Sequence, residues 1–226
     1  MLLPDERRAV AVHEAGHALV AALSDHADPV AKVTILPAGV ALGVTEQLPV
    51  DERHLYPESY LRDSLAVHLG GRAAELLVFG EGSTGASNDL AGATQLATRM
   101  VREFGLSPQL GPVGYSGDGP MFLGGEQIRS RPYAEATQRV IDSEVARLLR
   151  EAEDAALATL RTHVGRLDAL ADLLLEHETI DGAEVYELVG RPVPGGPESP
   201  VTAIHRSGDG VPAAAYTTTR TEDSHV

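Results

Sequence analysis

The chain has 226 residues, enough for one large domain or two small ones, with 43% hydrophobic and 23% charged residues, the balance of a globular protein. Its formal net charge of −15 argues against the basic surface that nucleic acids and anionic membranes select. It contains no cysteine, which excludes disulfides and thiolate metal sites, so any metal must bind to histidine, aspartate or glutamate.

A helix is predicted for residues 4–24, with Pro4 in its first turn and Ser24-Asp25 at its end. Small and apolar side chains fill most of 9–23, which predicts a helix buried in the core. This stretch is too short to span a bilayer, and the charged residues 5–8 do not fit the order of a signal peptide. We therefore expect a cytoplasmic protein without a transmembrane segment, brought to membranes only through a partner.

This helix carries the H-E-x-x-H pattern of zinc peptidases, formed by His13, Glu14 and His17. Residues four apart on a helix are offset by only about 40°, so both imidazoles face the same metal ion. The carboxylate of Glu14 lies beside them, where it can take a proton from a metal-bound water. Burying two histidines and a glutamate among apolar residues is costly without a partner, and a metal supplies one.

Two strands are predicted next, at 31–36 and 41–48, joined by a turn at Pro37-Ala38-Gly39. The first strand, with Val33, Thr34 and Ile35 at its centre, is a candidate docking edge for an extended substrate backbone. The alternative interpretation is an ordinary hairpin that belongs to the core.

Most of the remaining chain has helical periodicity. The predicted segments are a helix at 57–79 interrupted by Gly70-Gly71 and ended by Gly80, a loop at 81–87, a helix at 88–104, a loop-rich stretch at 105–125, a helix or helix pair at 132–176, and a short helix at 182–189 opened by a capping box at Asp181 and Glu184. Residues 191–226 are rich in Pro, Gly and Ser without a period, which predicts a disordered tail after a domain at 1–190.

A catalytic zinc site needs a third protein ligand, and the sequence offers His68, Glu75 and Asp89. Asp89 lies where a loop enters a helix, so a role as helix N-cap is the main alternative. Ser87 and Asn88 are also good caps, however, and would leave Asp89 free. The residues by themselves leave all three candidates open, with a slight preference for Asp89 over Glu75.

The chain resembles the protease domain of the FtsH-type AAA zinc metalloproteases over about residues 5–190. The resemblance is carried, in order, by A-V-H-E-A-G-H-A-L-V at 11–20, K-V-T-I-L-P-A-G-V-A-L-G-V-T at 32–45, G-G-R-A-A-E at 70–75, S-T-G-A-S-N-D-L at 83–90, F-G-L-S-P-Q-L-G-P-V at 104–113 and F-L-G at 122–124. It implies that Asp89 joins His13 and His17 as the third zinc ligand, with Glu14 as the catalytic base. Glu75 is then expected near the site rather than on the metal.

The same resemblance implies a mainly α zinc-metallopeptidase domain with a small β-hairpin or sheet element and one zinc ion per chain. It further implies unfolded or membrane-delivered protein substrates and assembly into a hexameric ring. Family members normally carry a membrane anchor and an ATPase module, whereas these 226 residues contain neither an anchor nor a phosphate-binding G-x-x-x-x-G-K-[ST] loop. A separate AAA ATPase partner is therefore expected. Further departures are Leu76, where many relatives have an acid, and Ala38 and Val40, where many have basic residues.

Two other functions are compatible with parts of this sequence. A non-catalytic, partner-dependent assembly module would keep the fold, but loss of activity usually removes a residue such as His13, Glu14, His17 or Asp89, and all four are present. A regulatory metal-binding domain would have no need of Glu14. We therefore predict a zinc-dependent endopeptidase.

Overall fold

The computed structural model describes residues 3–37, 42–50, 52–115 and 133–194. Helices dominate these ranges, joined by one small sheet, which confirms the predicted fold class. The elements are α1 (Pro4–Leu23), β1 (Val30–Thr34), β2 (Val44–Gln47), α2 (Glu58–Phe79), a 3-10 turn (Thr84–Ala86), α3 (Ser87–Arg102), α4 (Glu135–Thr162), α5 (Val164–His177), β3 (Thr179–Asp181) and α6 (Gly182–Val189).

The centre of the fold is α1, which is buried without a break from Ala11 to Ala22. It packs closely against α2, where a Cβ on Gly16 would lie 2.5 Å from the carbonyl oxygen of Gly70. The predicted interruption at Gly70-Gly71 is wrong, because α2 runs continuously from Glu58 to Phe79. Glycine weakens an isolated helix, but here it lets two backbones touch, and that packing compensates for the loss.

The sheet is antiparallel with the strand order β2-β1-β3. Val33 in β1 pairs with Thr45 of β2 on one side and with Ile180 of β3 on the other. Sequence analysis found the hairpin but missed β3, because its pairing joins residues almost 150 positions apart along the chain.

The prediction that Val33, Thr34 and Ile35 form a substrate-docking edge is therefore wrong. Thr34 is paired on both sides, and the amide of Ile35 donates to the carbonyl of Glu178 at 2.9 Å. Val33 and Ile35 are also buried, at 0% and 3% exposure. The alternative of a core hairpin strand holds for β1, and among the strands described it is β2 that has a free edge beside the cleft treated below.

The helical layer beyond α2 contains α3 and α4, which bury a second apolar cluster. The described part of the predicted segment 132–176 contains a helix pair, α4 and α5, which meet at His163. In the predicted capping box, the amide of Asp181 donates to Oε1 of Glu184 at 3.2 Å. No helix in the described part of the chain is both long and apolar enough to cross a membrane.

The end of the described chain is held by Arg191, whose guanidinium donates to the carbonyls of Ala22 and Ser24 at the end of α1. Ordered structure thus continues slightly past residue 190. The predicted tail from residue 195 onward lies outside the described ranges and stays a prediction, as does the domain boundary. The predicted turn residues Ala38 and Gly39, with Val40 and the F-L-G stretch at 122–124, also lie outside them.

Candidate metal centre

The two histidines of α1 meet at the bottom of a cleft. One helical turn separates His13 from His17, and their Nε2 atoms lie 3.0 Å apart. Both residues are buried, with 8% and 7% of their surface exposed. The buried face of α1 therefore points two ring nitrogens at the same place, as their spacing predicts.

Asp89 reaches the same place from the first turn of α3. Its Oδ2 atom lies 3.2 Å from Nε2 of His13 and 3.6 Å from Nε2 of His17. Within the described ranges these three residues form the one group of histidines and acids whose donor atoms all lie within 4.8 Å of one another. Of the three candidates for a third ligand, the structure brings Asp89 to the histidines and leaves His68 and Glu75 outside the group.

Helix capping near Asp89 differs from the prediction. Neither Ser87 nor Asn88 caps α3, because the helix continues directly from the 3-10 turn and Ala86 occupies the N-cap position. The cap lies earlier, where Oγ of Ser83 accepts a hydrogen bond from the amide of Gly85 at 3.1 Å. Asp89 is left free of a capping role, as the sequence suggested, but for this different reason.

Contacts behind the histidines fix which ring nitrogens face the cluster. Nδ1 of His13 lies 2.8 Å from Oε1 of Glu75, and Nδ1 of His17 lies 2.7 Å from the carbonyl oxygen of Val67. Both partners are acceptors, so each Nδ1 carries a hydrogen, and in the neutral ring each Nε2 then presents a lone pair. Two lone pairs and the Asp89 carboxylate thus converge, and acceptors this close need a cation between them.

The distances among these atoms fit zinc. Ligand atoms about 2.0–2.1 Å from a tetrahedral zinc lie about 3.3 Å from each other. The observed separations are 3.0, 3.2 and 3.6 Å. Gly71 keeps the space open, since a Cβ there would lie 2.5 Å from Nε2 of His13 and 2.6 Å from Nε2 of His17. Two imidazoles and one carboxylate also form a ligand set that catalytic zinc uses.

The pKa shifts of His13 and Asp89 also favour a bound cation. Burial acts to lower the pKa of His13, but hydrogen bonds with Asp89 and Glu75 outweigh it and hold that pKa above its usual value. Burial acts to raise the pKa of the Asp89 carboxyl, but the imidazoles of His13 and His17 beside it outweigh burial and hold that pKa well below its usual range. The cluster therefore favours added positive charge.

Glu14 lies next to the cluster and is 7% exposed. The hydroxyl of Thr45 in β2 donates to its Oε2 at 2.8 Å and lies 3.2 Å from its main-chain oxygen. A Cβ on Gly43 would lie 2.7 Å from Oε1 of Glu14, so glycine is needed there. Burial raises the pKa of Glu14, which favours its service as a proton acceptor. Sequence analysis missed Gly43 and Thr45, whose only signal was their place in the L-G-V-T stretch of the resemblance.

Comparison with known proteins agrees with this geometry. Residues 1–188 match the model of peptidase family M41. The chain belongs to peptidase family M41. This confirms the predicted resemblance, and the match spans every residue of the cluster.

Relatives of this M41 chain include proteins named "ATP-dependent zinc metalloprotease FtsH" from three bacteria. The chain is 68% identical to the protein of Acidothermus cellulolyticus, 53% to that of Acidimicrobium ferrooxidans and 46% to that of Marinobacter nauticus. The matches cover 86%, 84% and 83% of this chain. The chain spans 29% of the length of the first two relatives and 30% of the third.

A cleft of about 820 Å³ opens above the M41 cluster. α1 forms its floor and supplies the two histidines and Glu14. β2 contributes Val44, Thr45 and Gln47 to its lining, and α2 and α3 contribute further residues.

Proposed function

We propose that this chain is a zinc-dependent endopeptidase domain that hydrolyses peptide bonds in unfolded or membrane-delivered proteins. One zinc ion per chain would be held by His13, His17 and Asp89, with Glu14 as the general base. The observation that carries the proposal is the convergence of three acceptor atoms beside a buried carboxylate in an open cleft. The names of the relatives, which describe zinc metalloproteases, support it.

The proposed chemistry divides between the ion and the chain. Zinc bound there supplies Lewis acidity, which makes water a nucleophile near neutral pH. Thr45 holds Oε2 of Glu14, so Oε1 is the atom we expect to accept the proton of the attacking water and to pass it to the leaving nitrogen. Glu75 would keep the ring of His13 in place through Nδ1.

Substrate docking is proposed on β2 rather than on β1. The free edge of β2 borders the cleft, and Thr45 links that strand directly to Glu14. An extended peptide paired with this edge would pass over the cluster with its backbone in register. Pairing of this kind recognises main-chain atoms, which suits unfolded substrates of varied sequence.

The proposal also includes an ATPase partner and assembly into a ring. The relatives are named as ATP-dependent and are about three times as long as this chain, which supports the view that an ATPase acts together with this domain. A separate AAA ATPase, a hexameric ring and a cytoplasmic location with membrane contact through a partner are proposed on the family resemblance.

The test combines metal content with hydrolysis of an unfolded substrate. We expect the purified chain to hold one zinc ion and to cleave casein, and Glu14→Gln to keep the zinc and the fold while losing at least about 100-fold in rate. Glutamine has the same shape but accepts no proton. A zinc-loaded wild-type chain that never cleaves, alone or with an added ATPase, would favour the non-catalytic assembly module instead.

A further inference from the structure

The side of the cleft formed by α2 carries a row of polar side chains at helical spacing, and the glycine that abuts the two zinc-ligand candidates on α1 lies within this row. In chain order the polar residues of this row are Tyr60, Ser64, His68 and Glu75. Such a row faces the space through which a bound peptide would pass. Its hydrogen-bonding capacity therefore bears on how a substrate is held.

Three members of the row are already engaged within the chain. The hydroxyl of Tyr60 donates to Oδ2 of Asp28 at 2.7 Å, and the hydroxyl of Ser64 donates to the carbonyl of Tyr60 at 2.8 Å. The carboxylate of Glu75 contacts Nδ1 of His13 and accepts a hydrogen bond from the hydroxyl of Ser83. His68 is half-buried and makes no hydrogen bond to any residue in the described ranges, so its ring is the free group of this row.

The position of His68 places it beside the reacting groups. It lies about 4.5 Å along the helix axis from Gly71, which touches both imidazoles. The Asp89 carboxylate is close enough to act electrostatically on its ring. A Cβ on Gly92 of α3 would lie 3.3 Å from Cε1 of His68, so the glycine leaves the ring its room. An imidazole carries at least one N–H in either protonation state, so the ring of His68 has a hydrogen to donate.

A peptide docked on β2 has a second edge that needs partners. In an antiparallel pair, alternate main-chain groups of a strand point away from its neighbour. On a peptide paired with β2, those groups face α2 and α3. A peptide carbonyl that is buried against the cleft wall without a partner loses the hydrogen bonds it had in water, which weakens binding.

We propose that His68 donates a hydrogen bond from its ring N–H to a substrate main-chain carbonyl within one residue of the bond that is cut. β2 and His68 would then hold opposite edges of the peptide over the cluster. The inference rests on the proposed function and assigns a substrate-binding role to a residue that is neither a zinc ligand nor the base.

A binding cycle between His68 and the substrate carbonyl tests this directly. The full chain carries Glu14→Gln and is loaded with zinc, so that a labelled unfolded peptide binds without being cut. Three analogues of the peptide each replace one peptide bond at or next to the cleavage site with an (E)-alkene, which has no carbonyl. We expect one analogue to bind about three- to tenfold more weakly than the parent peptide when His68 is present, and less than about twofold more weakly in His68→Leu.

Two further variants separate contact from structure. His68→Gln keeps a side-chain N–H donor and should restore most of the carbonyl dependence, whereas His177→Leu, an exposed histidine of α5, should leave it unchanged. Equal carbonyl dependence in His68 and His68→Leu chains, or no recovery in His68→Gln, would overturn the assignment. A failure of the parent peptide to bind, with no casein cleavage by the wild-type chain, would contradict the proposed function itself.

Discussion

Nδ1 of His13 lies 2.8 Å from Oε1 of Glu75, so a residue of α2 holds a ring whose other nitrogen faces the candidate metal position. Glu75 is 2% exposed and is itself held by the amide and hydroxyl of Ser83. The carboxylate therefore fixes the ring without reaching the cluster. Replacing Glu75 is therefore expected to weaken zinc binding less than replacing a zinc ligand.

Zinc content should separate the roles of Asp89 and Glu75. We expect Asp89→Ala to abolish stoichiometric zinc, because it removes one of three ligands. Glu75→Ala should weaken zinc binding by about 10- to 100-fold, the usual effect of removing a carboxylate that orients a ligand. The measurement is a competition titration with a chelator, and Glu81→Ala, an exposed acid nearby, is the control. Full zinc in Asp89→Ala with loss in Glu75→Ala would reverse the assignment.

Removing the hydroxyl of Thr45 should slow catalysis without loss of metal. Thr45→Val keeps the shape of the side chain but leaves Oε2 of Glu14 without its hydrogen bond. Such a bond to a charged group is worth about 1.5 kcal/mol or more, so we expect kcat to fall about tenfold at unchanged zinc content. Thr45→Ser should recover most of the rate. A Val variant as fast as wild type would show that Thr45 does not position the base.

The contact between α1 and α2 should tolerate no side chain at Gly16. Gly16→Ala would place a Cβ 2.5 Å from a backbone oxygen, and the helices must move apart. We expect a loss of about 1–3 kcal/mol in the free energy of unfolding. Gly165→Ala in α5 meets nothing within 4 Å and should be neutral or stabilising by up to about 1 kcal/mol. Denaturant titration of both variants measures the contrast.

Acid should destabilise the chain partly through Glu144, which is 1% exposed. Hydrogen bonds from Arg147 and Ser107 hold the pKa of Glu144 below its ordinary value, against the effect of burial. A lowered folded-state pKa contributes stability above the unfolded pKa of about 4.3, and this contribution is lost as the pH falls through the folded pKa.

Replacing Glu144 should therefore cost more at neutral pH than in acid. We expect Glu144→Gln to lose about 1–3 kcal/mol at pH 7 and less below pH 4. Glu151→Gln removes an exposed partner of the same arginine and should cost under about 1 kcal/mol. The free energy of unfolding measured against pH decides between them, and equal costs at pH 7 would contradict the role of burial.

The isolated chain should cleave unfolded protein but not a stable folded one. Unfolding a typical domain requires about 5–15 kcal/mol, and these 226 residues contain no G-x-x-x-x-G-K-[ST] loop to couple nucleotide hydrolysis to that work. Casein and a tightly folded reporter, each with and without ATP, form the assay. ATP-stimulated loss of the reporter with the pure chain would refute the prediction, whereas loss only after addition of an AAA ATPase would reveal a two-chain machine.

What the sequence alone determined is local. His13, Glu14 and His17 belong to one helix, where a spacing of four residues sets their common face before any tertiary contact forms. The helix ends at Gly80 and Gly190 were equally readable, because both glycines adopt the left-handed conformation that stops a helix. Asp89 could be chosen as the third ligand only through the family resemblance, because His68 and Glu75 also carry side chains that can bind zinc.

What only the tertiary structure decided depends on contacts between distant segments. β1 became the central strand because β3 pairs with it across almost 150 residues and covers its outer edge, whereas the outer edge of β2 has no partner among the described strands. Thr45 meets Glu14 only once that sheet lies against α1, and Gly71 matters only because two imidazoles from another helix fill the space beside it. Periodicity and capping act within a few residues, so the sequence could specify each helix but not which backbones and side chains would meet between them.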